Sequence, residues 1–119
     1  MKLSIAIIAM PLLALSMTAM AETSPQEAKQ IYDQMCAGCH GFQGDGGEGH
    51  RGGFSPHIGT LANKAYMASV PDEYLAMIIK KGGAAMGKIA TMPAWEHKFT
   101  EEQVNALVKH IRSFAPAEH

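Results

Sequence analysis

The chain has 119 residues, 47% of them apolar, with ten Lys and Arg against eleven Asp and Glu, a formal net charge of −1. That length supports one small domain. The balance gives no basic footprint for nucleic acid, and the two cysteines are too few for a disulfide framework.

The chain opens with Met1-Lys2 and a mostly apolar run from Leu3 to Met20 that ends in Ala19-Met20-Ala21. One early cation, an apolar stretch and a small-x-small ending are the marks of an export signal. Residues 1–21 are therefore expected to be a cleaved signal peptide. Residues 22–119 are expected to form a single domain with a net charge of −2 once Lys2 is gone. The rival is an uncleaved anchor, since the run approaches the shortest length that spans a bilayer. No cysteine stands at the cleavage point to carry a lipid.

Ser24-Pro25-Gln26-Glu27 reads as a helix start, with Ser24 as cap, Pro25 in the first turn and Glu27 completing a capping box. Ala28, Ile31, Tyr32 and Met35 continue it as an apolar stripe at helical spacing, which assigns them to the core. This first helix runs straight into Cys36-Ala37-Gly38-Cys39-His40. A Cys-x-x-Cys-His pentapeptide is a covalent haem attachment signal. On one helical turn, two thiols three residues apart share a face and can each add to a vinyl group of a porphyrin. His40 follows as proximal iron ligand. A thioredoxin-type pair would need a preceding strand. A zinc site would need two further ligands. Thioether attachment in bacteria takes place outside the cytoplasm, so the motif and the export signal support each other, and a periplasmic location is expected.

Residues 41–53 are rich in glycine, so regular structure is not expected there. Gly44-x-Gly46-x-x-Gly49 formally matches a dinucleotide fingerprint, but it follows a helix, opens none, and carries Asp45 and Glu48 where a pyrophosphate would approach. Ser55-Pro56-His57-Ile58 comes next. A carbonyl from the Pro56 stretch is a candidate partner for the free nitrogen of His40, and Ile58 and Leu61 are candidates for packing on the ring. Residues 62–69 read as an ambiguous short helix. Pro71-Asp72-Glu73 starts a clearer one, with acids in its first turn. Tyr74, Leu75, Ile78 and Ile79 form its buried face, Lys80 and Lys81 suit its last turn, and Gly82-Gly83 ends it. Met67 and Met77 read as core.

Two methionines follow in a loop. Met92 precedes Pro93, which restricts its backbone to an extended form suited to holding a thioether against iron. Met86 sits in a looser Gly/Ala setting and is the alternative distal ligand. His50, His57 and His97 are minor rivals, and His110 and His119 read as surface. Thr100-Glu101-Glu102-Gln103 is a capping box. Val104, Leu107, Val108, Ile111, Phe114 and Ala115 then carry a last helix over about 101–114, ended by Pro116.

An N-terminal helix entering Cys36–His40, a middle helix, a Met92-Pro93-Ala94-Trp95 loop and a C-terminal helix from Thr100 to Arg112 resemble class I cytochromes c. The resemblance covers nearly all of residues 22–119. It implies an all-α cytochrome c fold, about three main helices and loops wrapped round one covalently bound haem c. It makes Cys36 and Cys39 the thioether attachments, His40 the proximal ligand, Met92 the distal ligand and Pro56 the residue whose loop orients the histidine. The first and last helices would cross near a right angle. The family commonly places an aromatic on the last helix at that crossing. Here His110 precedes Ile111 there, and Ala28 is the expected small partner.

Filling both axial positions would leave no substrate site, so the expected function is electron carriage, not catalysis. The resemblance implies a monomeric periplasmic carrier, without stable membrane insertion, that serves redox partner proteins by outer-sphere transfer. The alternatives are a haem subunit of a periplasmic oxidoreductase complex, or a sensor or peroxidase-like protein whose Met92 can be displaced. Lys88, Ile89 and Ala90 are candidates for the docking surface.

Overall fold

A computed structural model of the chain describes residues 21–46 and 61–116. Among them there are five helices and no strand: α1 (Pro25–Met35), α2 (Ala37–His40), α3 (Lys64–Ser69), α4 (Asp72–Ala85) and α5 (Glu101–Arg112). The expected all-α fold is found, with α1, α4 and α5 as its main helices. None of the described helices is long and apolar enough to cross a membrane.

The helix starts follow their caps. The Ser24 hydroxyl accepts from the Glu27 N–H at 3.1 Å. Asn63 accepts from the Tyr66 N–H at 2.9 Å, which turns the ambiguous stretch into α3. Thr100 and Gln103 form the full capping box of α5. The box expected at α1 is only half made. The Glu27 carboxylate turns away and accepts from Gln103 Nε2 at 3.2 Å. One amide thereby caps α5 and ties its N-terminal end to that of α1.

The core lies where α5 meets α1 and α4. Ala28, Tyr32, Val104, Leu107, Val108 and Ile111 are buried there, joined by Met67, Leu75 and Ile79. Full burial of one such aliphatic side chain favours folding by roughly 1.5–3 kcal/mol, so the spacing of these residues is what holds the helices together. Ala28, expected as the small partner at the crossing of the first and last helices, is 1% exposed. The aromatic contribution differs from the family pattern. Tyr32 on α1 is fully buried, with the His110 and Phe114 rings 5.1 and 5.0 Å away. His110 is therefore half-buried, not a surface residue, and it fills the aromatic role itself. Met77 is also corrected. Met67 is core as expected, but Met77 is 42% exposed, because α4 turns that face to solvent.

Arg112 closes the fold from the far end of α5. Its guanidinium donates to the Met67 and Val70 carbonyls and pairs with Asp72 at 2.8 Å. It thus holds the α3–α4 junction against α5. Lys80 and Lys81 pair outward with Glu101 and Glu96, both at 2.6 Å.

The middle helix does not simply stop at its glycines. Gly82 leaves helical geometry at φ +81°, ψ 171°, and helical turns resume through Ala85. The break diverts the chain into the methionine loop.

Candidate haem site

Five segments of the chain meet at a cavity of about 580 Å³, within the usual range for a small-molecule or cofactor site. Cys36, Cys39 and His40 line one part of it. Met92, Pro93 and Trp95 line another, and Leu61, Leu75, Ile78, Ile79 and Ile111 supply apolar wall. The sequence motif at residues 36–40 and the methionine loop are thus brought to the same cavity. Met92 is on its wall, while Met86 is not. His97 is exposed and also off the wall. Pro56, His50, His57 and Ile58 lie outside the described residues.

The attachment segment is held as a tight turn. The Cys39 and His40 N–H groups both donate to the Cys36 carbonyl, at 3.1 and 2.9 Å. This is the helical turn that places two thiols on one face. Beneath it, the Tyr32 hydroxyl donates to the Gly41 carbonyl at 2.7 Å. Burial raises the Tyr32 phenol well above its ordinary pKa, with Cys36, Asp45 and Asp33 adding to the shift, so it stays a neutral donor. Of the stripe read as core, Ala28 and Tyr32 are buried and Ile31 is partly so, but Met35 is 37% exposed; that Tyr32 and Met35 reach the cavity wall the sequence did not show.

The thiol chemistry argues against a redox dithiol. Burial, and then the neighbouring Cys39, push the Cys36 thiol up to about 11, whereas reactive Cys-x-x-Cys thiols are held low. Burial lowers the pKa of His40, which favours the neutral imidazole that binds metal. Its Nδ1 is buried with no hydrogen-bond partner among the described residues. Among those residues, no group of three or more His, Cys, Asp or Glu side chains is placed to hold a bare ion.

The methionine loop is bonded to the end of α4 by its backbone. The Trp95 and Glu96 N–H groups donate to the Ile79 and Lys80 carbonyls at 3.1 and 3.2 Å. The Gly83 N–H donates to the Met92 carbonyl at 3.0 Å, and Lys88 N–H to the Gly83 carbonyl at 2.8 Å. Helix carbonyls left open by the break are satisfied by the returning chain. Trp95 stacks on Phe99 at 5.3 Å, with Lys98 5.9 Å from its centroid. Gly83 and Tyr66 are also on the wall, as is Lys88, which the sequence offered only as a docking residue; beyond the double glycine, the first two carried no signal in the sequence.

The profile of the family cytochrome C oxidase, cbb3-type, subunit III, matches residues 23–111. The chain belongs to that family. Among solved structures, this small c-type cytochrome is similar to one described as KustC0563 c-type cytochrome. The two are 27% identical with a TM-score of 0.59, over 74% of this chain and 96% of the other. The cytochrome accordingly carries covalently bound haem c and works in electron transfer. The donor set fits the group. Two cysteines at the haem-binding spacing, a neutral imidazole with an orphaned Nδ1, and a thioether share one largely apolar cavity.

Proposed function

We propose that this cytochrome is a periplasmic single-haem carrier, with Cys36 and Cys39 as attachment points, His40 as proximal ligand and Met92 as distal ligand. The observation that carries the reading is that Met92 shares the cavity wall with Cys36, Cys39 and His40, whereas Met86 does not. Haem c supplies a one-electron iron couple. The chain's residues set its conditions. A soft thioether favours the ferrous state and raises the potential, and the apolar wall of Leu61, Leu75, Ile79 and Ile111 keeps water out. The orphaned Nδ1 of His40 supports the further reading that a carbonyl from the Pro56 stretch completes the imidazole's hydrogen bonding. Residues 1–21 would direct export and be removed. Lys88, Ile89 and Ala90 are exposed beside the cavity, Ile89 by 50%, and suit a small docking face for a redox partner.

A second reading is favoured by the family description, which names an oxidase subunit: the chain would serve as the haem subunit of a periplasmic complex. The site geometry is common to both readings. Two experiments test them. His/Met ligation gives ferric protein a red-region methionine-to-iron charge-transfer band. Met92→Ala is expected to abolish that band and Met86→Leu to leave it; the reverse result would sink the ligand assignment. Purification of the native protein alone as a monomer supports the carrier, and consistent co-purification with a catalytic subunit supports the complex.

A further inference from the structure

The break in α4 bears on Met92 more directly than any other feature of the described chain. An added Cβ at Gly83 would stand 2.1 Å from the Ile89 carbonyl oxygen and 3.3 Å from the Met92 Cβ. An added Cβ at Gly82 would stand 2.9 Å from the Met92 carbonyl oxygen and from the Ala94 nitrogen, and 3.0 Å from the Pro93 carbonyl carbon. The obstructing atoms are mostly backbone, so no side-chain rotation relieves the contacts. Gly82 also holds φ +81°, ψ 171°, a region open essentially to glycine alone. Both ends of the loop from Ile89 to Ala94 therefore lie against this two-residue break, and the Gly83 N–H to Met92 carbonyl bond crosses it.

We infer that Gly82 and Gly83 are positioning residues for the sixth iron ligand: the break they make in α4 is the seat that fixes where the Met92 thioether lies. The inference rests on the reading of Met92 as distal ligand. A side chain at either position would lift the loop off α4 and carry Met92 away from its place on the cavity wall. Haem attachment through Cys36, between α1 and α2, and Cys39 on α2 would be untouched.

The test uses the ferric holoprotein. Gly83→Ala and Gly82→Ala are expected to keep covalent haem, measured as pyridine haemochrome, while losing the methionine charge-transfer band. Displacement of the weakened ligand by imidazole should need at least about tenfold less imidazole than in the wild type, the scale set by one strained backbone position. The potential should fall as sulfur ligation is lost. Gly44→Ala is the control for general destabilisation. Its Cβ would meet the Phe114 ring at 2.6 Å and the Leu61 Cβ at 3.0 Å and it holds φ +69°, and none of these nearest contacts belongs to the loop from Ile89 to Ala94. It is expected to lower the unfolding midpoint while keeping the band and the wild-type imidazole affinity.

The inference is overturned if both α4 variants keep the band and bind imidazole as the wild type does, or if Gly44→Ala loses the band equally. Should Gly83→Ala yield no holoprotein, Gly82→Ala decides, since its closest contacts are 2.9 Å and not 2.1 Å. Met92→Ala separates the two levels. A band that survives this change removes the ligand reading and the inference with it. A band lost in Met92→Ala but kept in both glycine variants removes the inference alone.

Discussion

His110 occupies a place where an uncharged ring would do the same packing. Its ring meets Tyr32 edge-on at 5.1 Å and Phe114 at 5.0 Å, and its Nε2 is buried with no partner among the described residues. From α1, Asp33 and Lys29 act on it with opposite signs, and Asp33 Oδ1 is likewise buried and unpartnered. Burial, with Lys29 acting in the same direction, outweighs Asp33 and holds the imidazole below its ordinary value of 6.5. The unfolded chain then takes up the proton first as pH falls. The stability linked to His110 is fully present above about pH 6.5 and is lost on acidification toward the lower folded pKa. Among the described residues, His40 is the other imidazole held low by burial, and iron ligation would remove it from this titration. Urea unfolding of the holoprotein should show a midpoint that falls between about pH 8 and about pH 5. In His110→Phe that fall should be shallower. An equally steep profile in the variant would assign the effect to other groups.

At the level of elements, the three long helices were legible because periodicity and capping agree along them. Thr100 and Gln103 mark the start of α5, and its apolar residues recur at one helical spacing. The haem attachment turn was legible because its chemistry demands adjacent residues. What the sequence did not show depends on long-range contact. Glu27 has an equally good local partner at its own helix start, and only the approach of α5 decides for Gln103. The double glycine reads as a helix stop, and only the returning loop reveals that it is a seat. Arg112 marks only the end of the last helix in the sequence, yet its guanidinium reaches from the last turn of α5 to the Met67 and Val70 carbonyls and Asp72. Loss of charge-assisted bonds to half-buried carbonyls costs roughly 1.5–3 kcal/mol each before relaxation. Arg112→Ala is expected to lower unfolding free energy by about 2–4 kcal/mol. Arg112→Lys should recover only part of it, since an ammonium lacks the planar fork that serves three acceptors. Full recovery by lysine would mean that charge alone matters there.

For the molecule as a whole, the cavity sets the terms of stability. Tyr32, Leu75, Ile79 and Ile111 are at once core residues and cavity wall, so the hydrophobic core of this chain is continuous with its cofactor site. Left unfilled, the space would either deprive its wall of packing contacts or take up water against apolar side chains, and both work against a small domain whose whole stability is about 5–15 kcal/mol. The helices that survive best without haem should be α1 and α5, which pack on one another and are joined by the Tyr32–His110 ring contact and the Gln103–Glu27 hydrogen bond. Replacing both Cys36 and Cys39 by alanine removes the covalent link. Prepared free of haem, this variant should lose most of its helical circular dichroism and its cooperative thermal transition. Haem added back should restore part of the signal through His40 and Met92 alone. A haem-free variant with the helix content and sharp transition of the holoprotein would show that the polypeptide closes its own core, and that the cofactor is cargo and not a structural part of the fold.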